Sequence, residues 1–386
     1  MFLEITIRRN PELVREAFKL HRQGLIESNT YVIDLDAVRE NARLIKDSAE
    51  KHGIKLYFIT KQFGRNPILA KTISEVGIEK AVAVDIDEAR VLYRNGIKIG
   101  HLGHLVQIPT SAIKEALAMK PEVITCFDVD KIKQINEVAK EMGVVQNILL
   151  RVVGDQDYFY PGQEGGIKLE DLENTAKKIK TLTHVKIVGV TSFPCFLYNE
   201  NSHRIEPTEN TLTVKKAANL LREIGFEITQ INGPSSTCVS SIPLLEKMGF
   251  THGEPGHAFT GTTPLHAHSF EPEKPAIVYV SEVSHIFEDR AYVLGGGLYR
   301  RARVQKAYVP SKELLLDVDD IPPEFIDYYI PIKKNKNRVN VGDTVIFAFR
   351  TQIFVTRAKL AVIGGLQKGE PNLLGIFNPL GDQIVI

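Results

Sequence analysis

The residues with chemical potential stand at the ends of apolar runs. Lys61 follows YFIT, where loss of hydration lowers the pKa of a lysine and makes its neutral, nucleophilic amine accessible. Glu254 ends the run GFTHGE, and a carboxylate there can keep a pyridine-type nitrogen protonated, which makes the ring an electron sink. Two turns of small and hydroxyl residues offer backbone N–H groups suited to a phosphate, namely Ser235, Ser236 and Thr237, then Gly256 and His257.

Each of these residues also has a plain structural interpretation. Lys61 can be a solvated lysine that opens a helix. The glycine, proline and serine residues can form tight turns without a ligand, and Glu254 can be a rim carboxylate in an ion pair. The chemical interpretation is favoured because all of these residues follow predicted strands of one repeating pattern.

That pattern is a strand, a turn and a helix, repeated between residues 55 and 254. Near-continuous apolar strands separated by amphipathic helices are typical of a buried parallel sheet. Eight units favour a (β/α)8 barrel over a doubly wound sheet, with functional groups at the carboxyl ends of the strands and a phosphate site after strands 7 and 8. The predicted strands are KLYFIT (55–60), KAVAVDI (80–86), IGHLGHL (99–105), EVITCF (122–127), NILLRVV (147–153), VKIVGVTSF (185–193), EITQING (227–233) and GFTHGE (249–254).

After about residue 270 the helical segments cease and short β-rich runs follow one another, which predicts a separate all-β domain. The runs are AIVYVSEVSHIF, AYVLGGG, ARVQKAYV, DTVIFAF, FVTRAKLAVI and DQIVI. The predicted organisation is an N-terminal segment (1–28) with a β-like start, FLEITI, then the barrel (29–268) and the C-terminal β domain (269–386). The domain on which the first segment packs is left open.

Composition excludes several classes of partner. A net charge of +1 argues against a nucleic-acid partner, and no stretch approaches the roughly 18 apolar residues of a membrane span. The first residues lack the apolar stretch of a secretory signal. The three cysteines, Cys126, Cys195 and Cys238, show no CxxC spacing, which disfavours a disulfide framework or a zinc site. We therefore expect a soluble cytoplasmic protein.

Two segments resemble a known family. YFITKQFGRNP, followed by VAVDIDEARVLYRNGI, resembles the cofactor-lysine segment of the alanine-racemase superfamily, and GEPGHAFTG resembles its last barrel strand and phosphate-binding turn. The resemblance covers most of residues 29–305, and the overall pattern, including the NTYVIDLDAV start, most resembles the YhfX-like branch. It implies a fold type III enzyme that depends on pyridoxal 5'-phosphate (PLP) and acts on a small-molecule amino-acid substrate.

The resemblance also implies roles for individual residues. Lys61 would hold PLP as a Schiff base, and Arg151, on the fifth strand, would support the ring region. The phosphate would bind Ser236 with its neighbours Ser235 and Thr237, and the amides of Gly256 and His257. Relatives complete the site across a dimer, so a C2 homodimer is expected.

Three positions depart from the family. Glu254 stands where alanine racemases have an arginine near the pyridine nitrogen, and Phe193 stands where the family often has a histidine against the ring face. The tyrosine that the partner subunit supplies as second acid/base has no clear counterpart. The candidates for that role are His285, Tyr292, Tyr299, Cys195 and Tyr160.

The leading hypothesis is a PLP-dependent amino-acid racemase or epimerase in which Lys61 acts as base at Cα, with Glu254 supporting the electron sink. The alternative is a lyase with the same cofactor site: a decarboxylase, aldolase or dehydratase. A PLP carrier is a third possibility, although such small proteins lack the β domain. The sequence does not identify the amino-acid substrate. Four arginines are candidates for binding its carboxylate: Arg204, Arg300, Arg301 and Arg350.

A metal-dependent hydrolase is a fourth possibility, because histidine is a good zinc ligand. The histidines concerned are His252, His257, His266 and His268. Their spacing across Pro255 and Pro264 matches no familiar ligand motif. We therefore predict no metal site.

Overall fold

The computed structural model describes residues 1–333 and 339–384. The α-helices in these ranges are α1 (Phe2–Arg9), α2 (Pro11–Arg22), α3 (Leu35–Lys51), α4 (Pro67–Val76), α5 (Ile86–Arg94), α6 (Ile113–Ala118), α7 (Val129–Met142), α8 (Leu172–Ile179), α9 (Glu209–Glu223) and α10 (Ile242–Lys247). The strands are β1 (Thr30–Asp34), β2 (Lys55–Leu56), β3 (Phe58–Ile59), β4 (Lys80–Ala83), β5 (Lys98–Leu102), β6 (Val123–Cys126), β7 (Gln146–Val153), β8 (Ile167–Lys168), β9 (Val185–Thr191), β10 (Phe196–Asn199), β11 (Arg204–Pro207), β12 (Gln230–Asn232), β13 (His252–Gly253), β14 (Ile277–Phe287), β15 (Arg290–Leu294), β16 (Lys306–Val309), β17 (Leu314–Asp317), β18 (Tyr329–Lys333), β19 (Thr344–Phe347), β20 (Lys359–Gly364) and β21 (Asn372–Phe377).

The chain folds into two compact units. Residues 45–60 and 73–256 form one, called the barrel unit here, and residues 1–44, 61–72 and 257–386 form the other, called the β unit. None of the helices in the described ranges is long and apolar enough to cross a membrane.

The barrel unit contains the predicted parallel barrel. Its strands follow the order β2-β13-β12-β9-β7-β6-β5-β4-β3, and β2 and β3 are two halves of one strand interrupted at Tyr57. β2 pairs with β13 and β3 pairs with β4, so the first strand closes the sheet. The (β/α)8 barrel, including the strand predicted from IGHLGHL, is confirmed.

Side-chain caps mark where two of the barrel helices begin. Asn66 caps α4, since its side-chain oxygen accepts hydrogen bonds from the backbone N–H groups of Ile68 and Leu69. Asp128 caps α7 in the same way. Ile132 and Ile135 lie on the buried face of α7, as the helical spacing of apolar residues predicts.

The β unit is built on one mixed sheet in the order β17-β16-β19-β14-β1-β20-β21, and β15 joins β14 to β18. β1 lies between β14, to which it is antiparallel, and β20, to which it is parallel. β1 lies within the range predicted for the barrel (29–268), yet its backbone pairs with strands far along the chain. The predicted domain boundaries themselves stay predictions.

The N-terminal segment packs on this sheet. Leu13 and Val14 of α2 belong to one core cluster with Val32 of β1 and with Val278 and Val280 of β14. The opposite face of the sheet carries aromatic rings, including Tyr31 and Tyr279, whose centroids are 5.1 Å apart. The segment whose place the sequence left open therefore completes the core of the β unit.

The prediction of a β-like start at FLEITI is wrong, because these residues form α1. Leu3 and Thr6 are buried against the rest of the unit, and the Thr6 hydroxyl donates to the carbonyl of Phe2 at 2.8 Å. Arg9 in the last turn donates to the carbonyls of Glu271 and Glu273. Tertiary packing of one helical face thus outweighs the β-branched residues.

The all-β character after residue 270 is confirmed, with β17, β18 and β21 in addition to the predicted runs. The predicted run DQIVI reaches residues 385–386, which lie outside the described residues. Within that run, Gln383 forms an isolated bridge with Phe377.

Leu13→Ala is expected to lower the free energy of unfolding by about 2–5 kcal/mol, because Leu13 is fully buried in the core cluster. Leu25→Ala is the control, since Leu25 is half exposed and its replacement should change stability by about 0.5 kcal/mol or less. Urea unfolding followed by circular dichroism measures both values. Equal effects of the two substitutions would contradict a structural role for the N-terminal segment.

Candidate active site

The predicted site residues occur in both units. The β unit contains Lys61 and His257, and the barrel unit contains the others, namely Arg151, Ser235, Ser236, Thr237, Glu254 and Gly256. Along the sequence, each of these residues lies at the carboxyl end of a barrel strand or a few residues from it. This is the end at which barrels of this type place functional groups.

Glu254 is buried one residue beyond β13, and its Oε1 accepts two hydrogen bonds. The donors are His101 Nδ1 at 2.6 Å and Asn232 Nδ2 at 2.7 Å. His104 Nε2 lies 3.4 Å from Oε2, and that oxygen has no hydrogen-bond partner among the described residues. Burial alone would raise the pKa of Glu254, but His104, His101 and the two hydrogen bonds lower it to about 2. Glu254 is therefore a buried carboxylate anion.

Sequence reasoning missed the two histidines beside Glu254. His101 lies in β5, and Gly103, with φ +76°, turns the chain before His104. A Cβ-bearing residue rarely adopts this backbone conformation, so glycine suits the turn. The available signal was the segment IGHLGHL, in which two histidines three residues apart follow an apolar start at the carboxyl end of a strand.

His101, His104 and Glu254 are also the group of described residues that could hold a metal ion, since their ligand atoms lie within 4.8 Å of one another. Two ligands on one tetrahedral zinc would be about 3.3 Å apart. His101 Nδ1 and Glu254 Oε1 are separated by 2.6 Å, which is a hydrogen-bond distance. The cluster is therefore a hydrogen-bonded network and not an assembled zinc site.

The histidines of the hydrolase hypothesis have local partners. His252 Nδ1 lies 2.7 Å from Thr251 Oγ1, and His266 Nδ1 lies 2.7 Å from Thr263 Oγ1. Burial lowers the pKa of His252 to about 4 and that of His266 to about 3, so both are neutral. In the described ranges, the candidate metal group includes none of the four histidines.

Arg151 is buried in β7 with part of its guanidinium unpaired. Nη2 donates to the carbonyl of Gln163 at 2.6 Å, and the guanidinium carbon lies 4.5 Å from the centroid of the Phe127 ring. Nε and Nη1 have no hydrogen-bond partner among the described residues. Burial lowers the pKa of Arg151 to about 10, at which the group is still a cation at neutral pH. Two buried donors of a cation are thus available to an anionic ligand.

The turn after β12 has an unusual backbone. Ser235 and Ser236 have φ values of +88° and +56°, which residues other than glycine rarely adopt. Thr237 is buried, and its Oγ1 accepts a hydrogen bond from the Glu254 N–H at 3.0 Å, so this turn is tied to the end of β13. Strained backbone of this kind often occurs at ligand-binding turns.

Lys61 begins a short 3-10 helix directly after Thr60, and its side chain is partly buried. In the barrel unit, Thr60 Oγ1 donates to the buried carboxylate of Glu88, and the same carboxylate accepts from the Val84 N–H at 2.8 Å. Glu88 therefore joins the ends of the first two barrel strands. This contact fixes the residue that immediately precedes Lys61.

His257 in the β unit is a neutral acceptor. Its Nε2 accepts from Arg350 Nε at 3.2 Å, and its Nδ1 lies 3.3 Å from Thr262 Oγ1. Burial, followed by the positive charges of Arg350, Lys61 and Arg301, holds the pKa of His257 well below its usual value. Of the four candidate arginines, Arg350 therefore already has a side-chain partner.

The five candidates for the second acid/base, the role for which the sequence shows no clear tyrosine, have different surroundings. Tyr160 lies in the barrel unit with its ring 5.8 Å from that of Phe193. Cys195 is buried, donates to the Ser192 carbonyl at 3.4 Å, and has its pKa raised by burial. In the β unit, the rings of His285 and Tyr292 stack at 4.7 Å, and Tyr299 is partly buried.

The chain matches the N-terminal domain of alanine racemase over residues 33–264, which is more than half of its length. The chain belongs to the alanine racemase family. Within this family, residues 278–373 match the YhfX-like C-terminal domain. The predicted resemblance, including its YhfX-like branch, is confirmed.

Two known proteins are similar in sequence to this chain. It is 39% identical over 388 residues to the uncharacterized protein YhfX of Escherichia coli (strain K12), and the match covers 100% of both chains. It is 26% identical over 218 residues to the ornithine racemase of Acetoanaerobium sticklandii, covering 56% of this chain and 57% of the relative.

Solved structures of other proteins share the fold. Alanine racemase from Clostridium difficile 630 has a TM-score of 0.61 at 19% identity and covers 91% of this chain and 98% of its own. D-threo-3-hydroxyaspartate dehydratase from Delftia sp. HT23 has a TM-score of 0.69 at 12% identity and covers 92% and 98%. At these identities the likeness is one of fold alone.

Proposed function

We propose that the chain is a PLP-dependent racemase or epimerase that acts at Cα of an amino acid, with Lys61 attaching the cofactor. The proposal is carried by two buried groups of opposite charge with unused hydrogen-bonding capacity: Glu254 Oε2, and Nε and Nη1 of Arg151. Buried polar groups are rarely left unpaired. PLP fits this pair because it offers one ring N–H donor together with acidic oxygens.

When bound, PLP withdraws electrons from Cα of an amino acid and makes its proton easier to remove. Glu254 would accept the hydrogen bond of the ring nitrogen, and Arg151 would donate to an acidic oxygen. The phosphate would bind the Ser235–Thr237 turn and the amides of Gly256 and His257. Lys61 would hold and move the Cα proton.

Racemisation requires a second proton donor on the face opposite Lys61. We infer that Tyr160 is this donor, since it lies beside Phe193, the residue that stands at the ring-face position of the family. Cys195 is less suited to be this proton donor, because its thiol already donates a hydrogen bond to the Ser192 carbonyl.

A lyase that acts on an amino acid is the second candidate, and Glu254 favours it. A carboxylate beside the ring nitrogen keeps that nitrogen protonated, which strengthens the electron sink that decarboxylation, aldol cleavage or dehydration needs. Lys61 alone suffices as the base for these reactions. A lyase needs no second acid opposite Lys61.

Proton exchange at Cα separates these candidates. The PLP-loaded protein is incubated in D2O with L- and D-amino acids one at a time, and proton NMR and chiral chromatography follow each reaction. A racemase replaces the Cα proton by deuterium and forms both enantiomers, whereas a lyase releases an amine, an aldehyde or an oxo acid. If no amino acid exchanges or reacts, the enzyme proposal fails and a PLP carrier is the remaining explanation.

We also infer a C2 homodimer and a cytoplasmic location. The dimer rests on the family, and the location rests on the three cysteines, which are buried thiols. Gel filtration at micromolar concentration would give the mass of two chains, and a monomer would contradict the dimer.

Arg151→Met is expected to separate ligand binding from stability. Methionine has a similar length but no charge and no donors. Removing a buried, partly unpaired cation offsets the loss of the hydrogen bond to the Gln163 carbonyl, so the free energy of unfolding of the cofactor-free protein should change by about 1 kcal/mol or less. The affinity for PLP should fall about tenfold, because a charged hydrogen bond is lost. Arg151→Lys, which keeps the charge, should retain part of that affinity. Chemical unfolding and fluorescence titration with PLP measure the two effects, and a large loss of stability would contradict a ligand-binding role.

A further inference from the structure

Glu254 is held by residues to which the proposed function gives no role. His101 uses both ring nitrogens, since Nδ1 donates to Glu254 Oε1 at 2.6 Å and Nε2 is hydrogen-bonded to the hydroxyl of Thr125. Thr125 lies in β6 and is buried. The imidazole thus links β5, β6 and the residue after β13, and its orientation is fixed from both ends.

His104 approaches the carboxylate from the loop after β5. Its Nε2 is 3.4 Å from Glu254 Oε2, while its ring packs against His101 at 5.0 Å and edge-on against Phe193 at 5.3 Å. Two imidazoles therefore flank the two carboxylate oxygens. Both histidines are almost completely buried.

The other titratable groups near Glu254 do not compensate its charge. Burial raises the pKa of Tyr57, on the first strand, and that of Cys195, beyond the sixth. Burial lowers the pKa of His252, on the eighth strand, to about 4. These three groups are neutral at pH 7. Among the described residues that face Glu254, the groups left to balance a buried anion are His101 and His104.

We propose that His101 and His104 are positioning residues that hold Glu254 as a fixed carboxylate anion, so that Oε2 is kept as the acceptor for the protonated ring nitrogen of the cofactor. The second half of this statement rests on the proposed function. The first half concerns the protein alone. A neutral carboxyl at residue 254 could offer a proton but would not favour a protonated ring, so the two histidines set the strength of the electron sink.

The first test uses the cofactor-free protein with carbon-13-labelled glutamate, and Glu254→Gln identifies the signal. NMR follows the carboxyl carbon of Glu254 from pH 1.5 to 8. In His101→Leu the titration midpoint should rise by about 1–3 pH units, because an opposite charge and a hydrogen bond are lost. His101→Asn supplies an amide N–H near the position of Nδ1 and should restore part of the shift.

Two more variants complete this test. His104→Asn keeps a polar side chain, and the midpoint should rise by less than in His101→Leu. His266→Leu removes a buried histidine whose hydrogen-bond partners are Thr263 and the Glu273 carbonyl, and not Glu254, so the midpoint should stay at the wild-type value. If His101→Leu does not fold, His101→Asn and His104→Asn decide the question. Wild-type midpoints in the histidine variants would overturn the proposal.

The second test uses PLP labelled with nitrogen-15 in the ring. The wild-type protein should show a protonated ring nitrogen by NMR, and in His101→Leu the protonated fraction at neutral pH should fall, because the carboxylate is no longer held in position against the ring nitrogen. If the wild type fails to bind PLP, the proposed function fails while the first test still decides the state of Glu254. If PLP binds with the same nitrogen shift in both proteins, the positioning role is wrong and the proposed function stands.

Discussion

Replacing Lys61 by alanine is expected to abolish the visible absorption band of covalently attached PLP and to stop turnover. The loss of the proton-transfer role alone should lower the rate by about 10²–10⁴-fold. Absorption spectra with PLP, recorded before and after borohydride, measure the attachment. Borohydride should fix the cofactor to the wild-type chain, which intact-protein mass spectrometry detects, and should leave Lys61→Ala unmodified.

Lys71→Ala is the matched control, because Lys71 is an exposed lysine of α4, the helix that follows Lys61 in the chain. Its spectrum and adduct should equal those of the wild type. A borohydride-stable adduct in Lys61→Ala would place the attachment on another lysine. Spectra of free PLP for wild type and variant alike would contradict the cofactor itself.

The barrel was predictable because its strands are local signals. Runs such as NILLRVV are buried on both sides in a parallel sheet, and their caps, such as Asn66 and Asp128, act within a few residues. The same locality identified Glu254, since the functional groups of such barrels gather at the carboxyl ends of the strands.

Long-range pairing was not predictable from these patterns. Thr30 pairs with Val280 on one side and with Lys359 on the other, and nothing in the segment TYVID shows that its partners lie hundreds of residues away. FLEITI forms a helix because of what it packs against. The contact of His101 with Glu254 joins residues 153 positions apart, so the spacing in IGHLGHL reveals two histidines but not their partner.

Glu254→Gln is expected to have the second large effect, because it removes the charge of a buried anion while preserving its shape. The amide of glutamine has one oxygen and one NH2 group, so it cannot accept hydrogen bonds at the positions of both Oε1 and Oε2. Its NH2 group would face the N–H of the cofactor ring, and His101 and His104 would have no counter-charge. Turnover should fall by about 10²-fold or more. The absorption of bound PLP should shift toward that of an unprotonated ring nitrogen.

The same substitution should change how the free energy of unfolding depends on pH below neutrality. The pKa of Glu254, about 2 in the folded protein, is below its usual value, so this carboxylate stabilises the fold above the unfolded pKa and loses that effect as the pH falls through about 2. The stabilisation at neutral pH is about 3 kcal/mol. Chemical unfolding between pH 2.5 and 7 should therefore show the wild type losing stability toward low pH more steeply than Glu254→Gln. Parallel curves would mean that Glu254 is not held as an anion, and the electron-sink role that depends on this charge would then have no basis.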